Sequence, residues 1–188
     1  MKSPFYFIVE PVGGRRYDNV KKIGDIDFIT STSQEDHTAS NRFAKVIACP
    51  SGYDGPIKPG HKLVVHHNVF KFYYDMKGRE KSGFSFLKDN TFFLEDNQFY
   101  MYHDGDKWNT IGDFCFVTPI DNDDELTTYR YKHLVGKIRY NNTQLQKLGV
   151  NQGDLVCFTP YSEYEFDVDG EKVYRMRVKD ISVLINGH

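Results

Sequence analysis

Short apolar runs separated by Gly, Pro, Asn and Asp set the rhythm of this chain. Phe5-Tyr6-Phe7-Ile8-Val9, Lys45-Val46-Ile47-Ala48, Lys62-Leu63-Val64-Val65, Val69 to Tyr74, Phe84-Ser85-Phe86-Leu87 and Thr91-Phe92-Phe93-Leu94 are rich in β-branched and aromatic residues. Such residues fit a pleated sheet, and the turn formers between them mark strand ends. Several runs alternate apolar with polar positions, the pattern of a strand with one buried face. Helical spacing is nearly absent, with one candidate segment at Asn142 to Leu148. The pattern predicts an all-β fold with little helix.

The second half of the chain restates the first. Phe5 to Val12 is echoed by Phe114 to Ile120, an aromatic-led strand ending at a proline, with the spacing to that proline differing by one residue. Ala44-Lys45-Val46-Ile47 is answered by Val135-Gly136-Lys137-Ile138, and the turn and strand Ile57 to Val65 by Val150 to Phe158. Two hairpin turns then match, Lys77-Gly78 with Asp169-Gly170, and Phe86 to Asp89 matches Arg177 to Asp180. From Gly60 to Gly153 is 93 residues, from Gly78 to Gly170 is 92 and from Asp89 to Asp180 is 91. A repeat of this length marks two copies of one structural unit. The expected division is 1–112 and 113–188, with a further hairpin at about 98–112 turning at Asp104-Gly105. The loop after the first strand, about 13–41, is cut short in copy two to the acidic connection 121–132.

The ordered features of each copy are an opening strand ending in Pro, a loop, a Gly turn before an apolar strand, a hairpin and a closing strand. This order resembles that of the GroES, or chaperonin-10, co-chaperonin family. Val150-Asn151-Gln152-Gly153-Asp154-Leu155-Val156-Cys157-Phe158 is similar to the family's V-x-x-G-D-x-V-x-F, and Lys179 to Ile185 is similar to its closing S-D-I-L-A-I-V. The resemblance implies two tandem GroES-like β-barrels, no enzymatic activity and no cofactor. It also implies assembly into a ring, a heptamer by analogy, that caps the folding chamber of a GroEL-type chaperonin.

In that family a mobile loop after the first strand carries the apolar tripeptide that docks on the chaperonin. Here the segment 13–41 is rich in Ser, Thr, Asp, Gln and Gly, a composition that favours mobility. The resemblance places the docking residues at Ile26, Phe28 and Ile29, although Asp25 and Asp27 depart from the family's G-G-I-V-L. The same residues also read as a short strand of the barrel. A second functional reading uses the barrels only for oligomeric contacts, as in a phage virion or scaffold component.

Composition narrows the remaining classes. Hydrophobic residues make up 39% of the 188, enough for a packed interior, and the net charge is −2 with Lys and Arg scattered. Nucleic-acid binding requires a concentrated basic face, so no nucleic acid is expected. No run approaches the length of a membrane helix, and a cytoplasmic location is expected. Cys49, Cys115 and Cys157 lie far apart in apolar segments and read as buried reduced thiols. His66-His67, on opposite faces of a strand, would not share an ion, and Asp121, Asp123, Asp124 and Glu125 read as a solvated surface. No metal site is expected. GroES-like barrels also occur in alcohol dehydrogenases, but the chain has no G-x-G-x-x-G for a dinucleotide and no clustered cysteines for zinc. Asn141-Asn142-Thr143 fits a glycosylation sequon, with nothing beside it to indicate secretion. The aromatic residues Phe70, Phe72, Tyr73 and Tyr74, with Tyr161, Tyr164 and Phe166, exceed what a small barrel interior holds, so some are expected to face a partner.

Overall fold

A computed structural model describes residues 2–17, 20–23, 26–29, 40–122 and 130–185, with the backbone alone at 20–23 and 26–29. The chain divides into two compact units, residues 1–107 and 108–188. Its strands are antiparallel, and the one α-helix among the described residues is the short α1, Thr143–Lys147. An all-β architecture with little helix is what the sequence pattern predicts.

Unit one contains β1 (Phe7–Pro11), β2 (Val20–Ile23), β3 (Ile26–Ile29), β4 (Phe43–Ala48), β5 (Lys62–Val65), β6 (Phe72–Tyr74), β7 (Glu80–Ser82), β8 (Phe86–Lys88), β9 (Thr91–Leu94) and β10 (Phe99–His103). Six of these share one sheet in the order β10-β5-β4-β1-β9-β8. Strands β2 and β3 pair with each other, as do β6 and β7, each couple forming a small sheet of its own. Unit two contains β11 (Trp108–Thr110), β12 (Phe114–Asp121), β13 (Tyr131–Tyr140), β14 (Leu155–Phe158), β15 (Tyr164–Val168), β16 (Glu171–Arg177) and β17 (Ile181–Ile185). Its sheet runs β17-β14-β13-β12-β16-β15. When only the six strands of each order just given are numbered along the chain, both orders read 6-3-2-1-5-4.

The agreement extends to single hydrogen bonds. Gly60 donates its backbone N–H to Val46 at 2.8 Å and Gly153 donates to Ile138 at 2.8 Å. Val46 donates to His61 at 2.9 Å, and Ile138 donates to Asp154 at 2.9 Å. The two glycines have φ of +93° and +94°, a conformation that penalises any residue with a Cβ. Both opening strands also carry a bulge at the same step, Ile8/Val9 against β4 and Phe116/Val117 against β13. A bulge adds local twist and bends the sheet.

The strand registers correct three of the expected matches. Pro11 and Pro119 are counterparts, opposite Ala44 and Gly136. The aromatic leaders are therefore shifted by one, with Tyr6 rather than Phe5 corresponding to Phe114. The Asp169-Gly170 turn joins β15 to β16, and its counterpart joins β8 to β9 at Asp89-Asn90, both at positive φ. Gly78 instead lies in the β6–β7 hairpin, which has no equivalent among the described strands of unit two. Finally, Thr159 donates to the Asp180 carbonyl as His66 donates to that of Gln98. Asp180 therefore corresponds to Gln98, not to Asp89, and β10 takes the closing place that β17 takes in unit two.

Neither sheet closes into a complete hydrogen-bonded barrel, since each order is open at its ends among the described residues. A lone sheet can still bury one face by curling over it. In unit two the core draws Cys115 and Val117 from β12, Ile138 from β13, Val156 and Phe158 from β14 and Met176 from β16. Leu145 of α1 and Val150 plug the same core. In unit one Phe7 packs edge-on against Phe99 at 5.3 Å and Phe70 against Phe92 at 4.9 Å. Each such buried ring contributes about 2–3 kcal/mol.

Helix α1 is held by its cap. The Asn142 side chain accepts from the Leu145 N–H at 2.8 Å and donates to the Phe114 carbonyl at 2.8 Å, tying the helix to β12. No helix among the described residues is long and apolar enough to cross a membrane.

The three cysteines are unpaired, but only Cys115 is buried. Burial raises its thiol pKa to about 12, so it stays protonated and serves as core packing. Cys157 alternates with buried Val156 and Phe158 on β14 and so turns to the other face. Cys49 lies just beyond β4, where its thiol donates to the Ile57 carbonyl at 3.4 Å.

Candidate docking site

The two units differ most where the opening strand ends. In unit two the ladder runs on past Pro119, with Asp121 opposite Tyr131, and Asn122 donates to the Arg130 carbonyl at 2.8 Å. Asp121 and Arg130 form an exposed ion pair at 3.8 Å. In unit one the chain leaves the ladder after Pro11 through a 3-10 turn, Val12–Gly14, whose Gly13 and Gly14 have φ of +76° and +71°.

The departing segment returns at Ser40, bridged to Tyr17, and Asn41 fastens both of its ends. This residue is 2% exposed. Its amide nitrogen donates to the carbonyls of Val12 and Arg15, each at 2.8 Å, and its amide oxygen accepts from the Phe43 N–H at 2.9 Å. Its backbone N–H donates to the Arg16 carbonyl at 2.9 Å. One asparagine thus satisfies four backbone groups at the mouth of a long excursion.

Two further side chains brace that mouth. The Arg16 guanidinium lies 4.9 Å from the Phe86 ring, 5.0 Å from Phe92 and 5.9 Å from Phe72, and donates to the Ser82 hydroxyl at 3.0 Å. Tyr17 meets Phe72 edge-on at 5.1 Å. Burial pushes the Tyr17 phenol above its usual pKa, against the opposing effects of a hydrogen bond to Phe72 and of the Arg16 charge. The β6–β7 hairpin peculiar to unit one is therefore a buttress for the segment's base. Sequence reasoning missed this role, because Arg16 and Tyr17 are remote from Phe72 and Ser82 along the chain.

Within the excursion, Ile26, Phe28 and Ile29 lie on β3, which pairs with β2 in the register Val20–Ile29, Lys21–Phe28, Lys22–Asp27 and Ile23–Ile26. The three expected docking residues thus share one strand of a two-stranded sheet that is not hydrogen-bonded into the main one.

The other candidate residues are dispersed. His66 and His67 fall in the turn beyond β5, not on a strand, and their rings lie 4.1 Å apart, contrary to the expected opposite placement. Among the described residues no group of three or more His, Cys, Asp or Glu is placed to hold a metal ion. Asp123, Asp124 and Glu125 lie outside the described residues. Phe70 and Phe166 are core, whereas Tyr73 and Tyr74 are half exposed and Tyr161 is fully exposed.

Residues 123–185 match the family model of the chaperonin 10 Kd subunit. The match covers about a third of the chain and spans β13 to β17, the part whose turn and closing strand carry the sequence resemblance. No curated protein matches the chain.

Proposed function

We propose that the chain is a co-chaperonin made of two GroES-like units in tandem, which assembles as a ring and caps the folding chamber of a chaperonin. The observation that carries this reading is the chaperonin 10 match over 123–185. The shared strand order and the paired Gly60 and Gly153 turns support extending the family likeness to unit one.

In this reading unit one docks and unit two builds. The segment that carries Ile26, Phe28 and Ile29 docks on an apolar groove of the chaperonin. Each contact is modest because the segment loses conformational freedom on binding. A ring presents many copies at once, and the linked contacts raise the total affinity by orders of magnitude.

Replacing Phe28 or Ile29 by Asp places a carboxylate in that groove. The expected result is loss of nucleotide-dependent co-sedimentation with a GroEL-type chaperonin, at least tenfold per substitution in a multivalent ring. The variants should keep the wild-type melting point. Undiminished binding by both would refute the docking assignment.

A further inference from the structure

The outer faces of the two sheets carry counterpart positions with different chemistry. In unit two the Arg175 guanidinium lies between two rings, 5.2 Å from Phe114 and 4.8 Å from Tyr164. Arg177 lies 5.2 Å from the same Phe114 ring and pairs with Asp113 at 3.3 Å. Phe114 is left only 8% exposed. This face supplies its own cations to its own rings.

The strand registers put Tyr6 in the place of Phe114, Phe93 in that of Arg175 and, one pair further along, Glu95 in that of Arg177. Both guanidinium groups are thus missing from unit one. A pocket of about 200 Å³ stands there, lined by Tyr6, Phe84, Phe93, Glu95 and Gln98. The Tyr6 and Phe93 rings are 5.6 Å apart and inclined at 54°, and Phe84 is fully exposed. Glu95 makes no ion pair among the described residues.

We propose that this pocket receives an arginine side chain presented by a partner protein. Ring faces attract a cation, and a planar guanidinium can stack on them while its N–H groups reach a carboxylate. Glu95 supplies that carboxylate at the rim, where the Gln98 amide oxygen accepts from the Glu95 N–H at 3.0 Å and so fixes the turn that carries it. Unit two displays the same chemistry satisfied from within the chain. Lysine would keep the charge but lose the stacking, and citrulline would keep the shape but lose the charge.

The test uses the full chain with its aromatic rings labelled for NMR. It is titrated with the capped tripeptide acetyl-Gly-Arg-Gly-amide and with its citrulline analogue. The expected result is saturable shifts at Tyr6, Phe84 and Phe93, with citrulline binding about fivefold weaker or worse. Glu95→Gln should weaken the arginine peptide about threefold to fivefold. Phe93→Arg, which copies unit two, should abolish binding while the melting point confirms an intact fold. Equal binding of citrulline, shifts confined to other rings, no saturable shift at all, or undiminished binding by Phe93→Arg would each overturn the proposal. Concentration-dependent shifts of these three rings without peptide would show a second copy in the pocket and overturn the partner assignment.

Discussion

Asn41→Leu should lower the stability of unit one by about 3 kcal/mol, because it removes three hydrogen bonds made by a buried side chain to the backbone, each contributing about 1 kcal/mol. Leucine is close in size to asparagine, so the loss isolates the hydrogen bonds from the packing. The side chain that makes these three bonds, to the carbonyls of Val12 and Arg15 and to the N–H of Phe43, belongs to a residue only 2% exposed. For a domain of this size the melting midpoint should fall by about 12 °C or more. A second readout separates this role from ordinary core damage. Limited proteolysis of the folded variant should cut between residues 13 and 41 several times faster than in the wild type, since the mouth of that segment is no longer tied. A shift below about 3 °C with an unchanged cleavage pattern would contradict the assignment.

The second large effect is expected at Gly136, whose counterpart in unit one is Ala44. A Cβ at Gly136 would overlap the Val117 side chain and come within 2.8 Å of the Thr118 carbonyl oxygen. That oxygen belongs to the β12 backbone and cannot move without disturbing the ladder. Gly136→Ala should therefore destabilise unit two by about 2–3 kcal/mol. At the matching place Ala44 is fully buried and its Cβ is already accommodated. Ala44→Gly should cost only about 1 kcal/mol, from backbone freedom and one lost methyl. Thermal unfolding of the two variants measures the contrast, and equal losses would show that the two positions are not true counterparts.

The parts of the fold that were legible in the sequence are those where one residue type is physically required. The turn at Gly60 and Gly153 needs positive φ, so glycine stands at both places and the 93-residue spacing is exact. The all-β pattern and the short helix within Asn142 to Leu148 were legible for a similar reason, since strand alternation and helical spacing leave local marks. The hairpin matches misled because several residue types solve the same turn. Asp89-Asn90 reaches φ of 45° and 58° without a glycine, so the glycine at position 78 of an inserted hairpin looked like the better partner for Gly170. The opening strands were set one residue out because aromatic residues lead both, while the shared bulge and the prolines hold the true register.

The candidate docking site was legible as a segment but not as an assembly. Polar composition marks 13–41 as an excursion, and Ile26, Phe28 and Ile29 stand out within it. Its base depends on contacts between residues far apart in the chain, Arg16 with Ser82 and Phe86, and Tyr17 with Phe72. No local pattern announces such contacts. The inserted β6–β7 hairpin makes sense only beside the segment it supports, which is why the chain carries both in the same unit.

On the co-chaperonin reading, the two units are divergent versions of one plan. Unit two continues the ladder to Asp121, opposite Tyr131, whereas unit one leaves it after Pro11 and carries the β6–β7 buttress. Electron microscopy of the purified chain mixed with a GroEL-type chaperonin and ATP tests the docking role of unit one most directly. The prediction is a ring of additional density seated on the mouth of the chaperonin, joined to it by contacts that disappear with Phe28→Asp. Chaperonin ends that remain bare, with the chain found only in separate rings or shells, would contradict it.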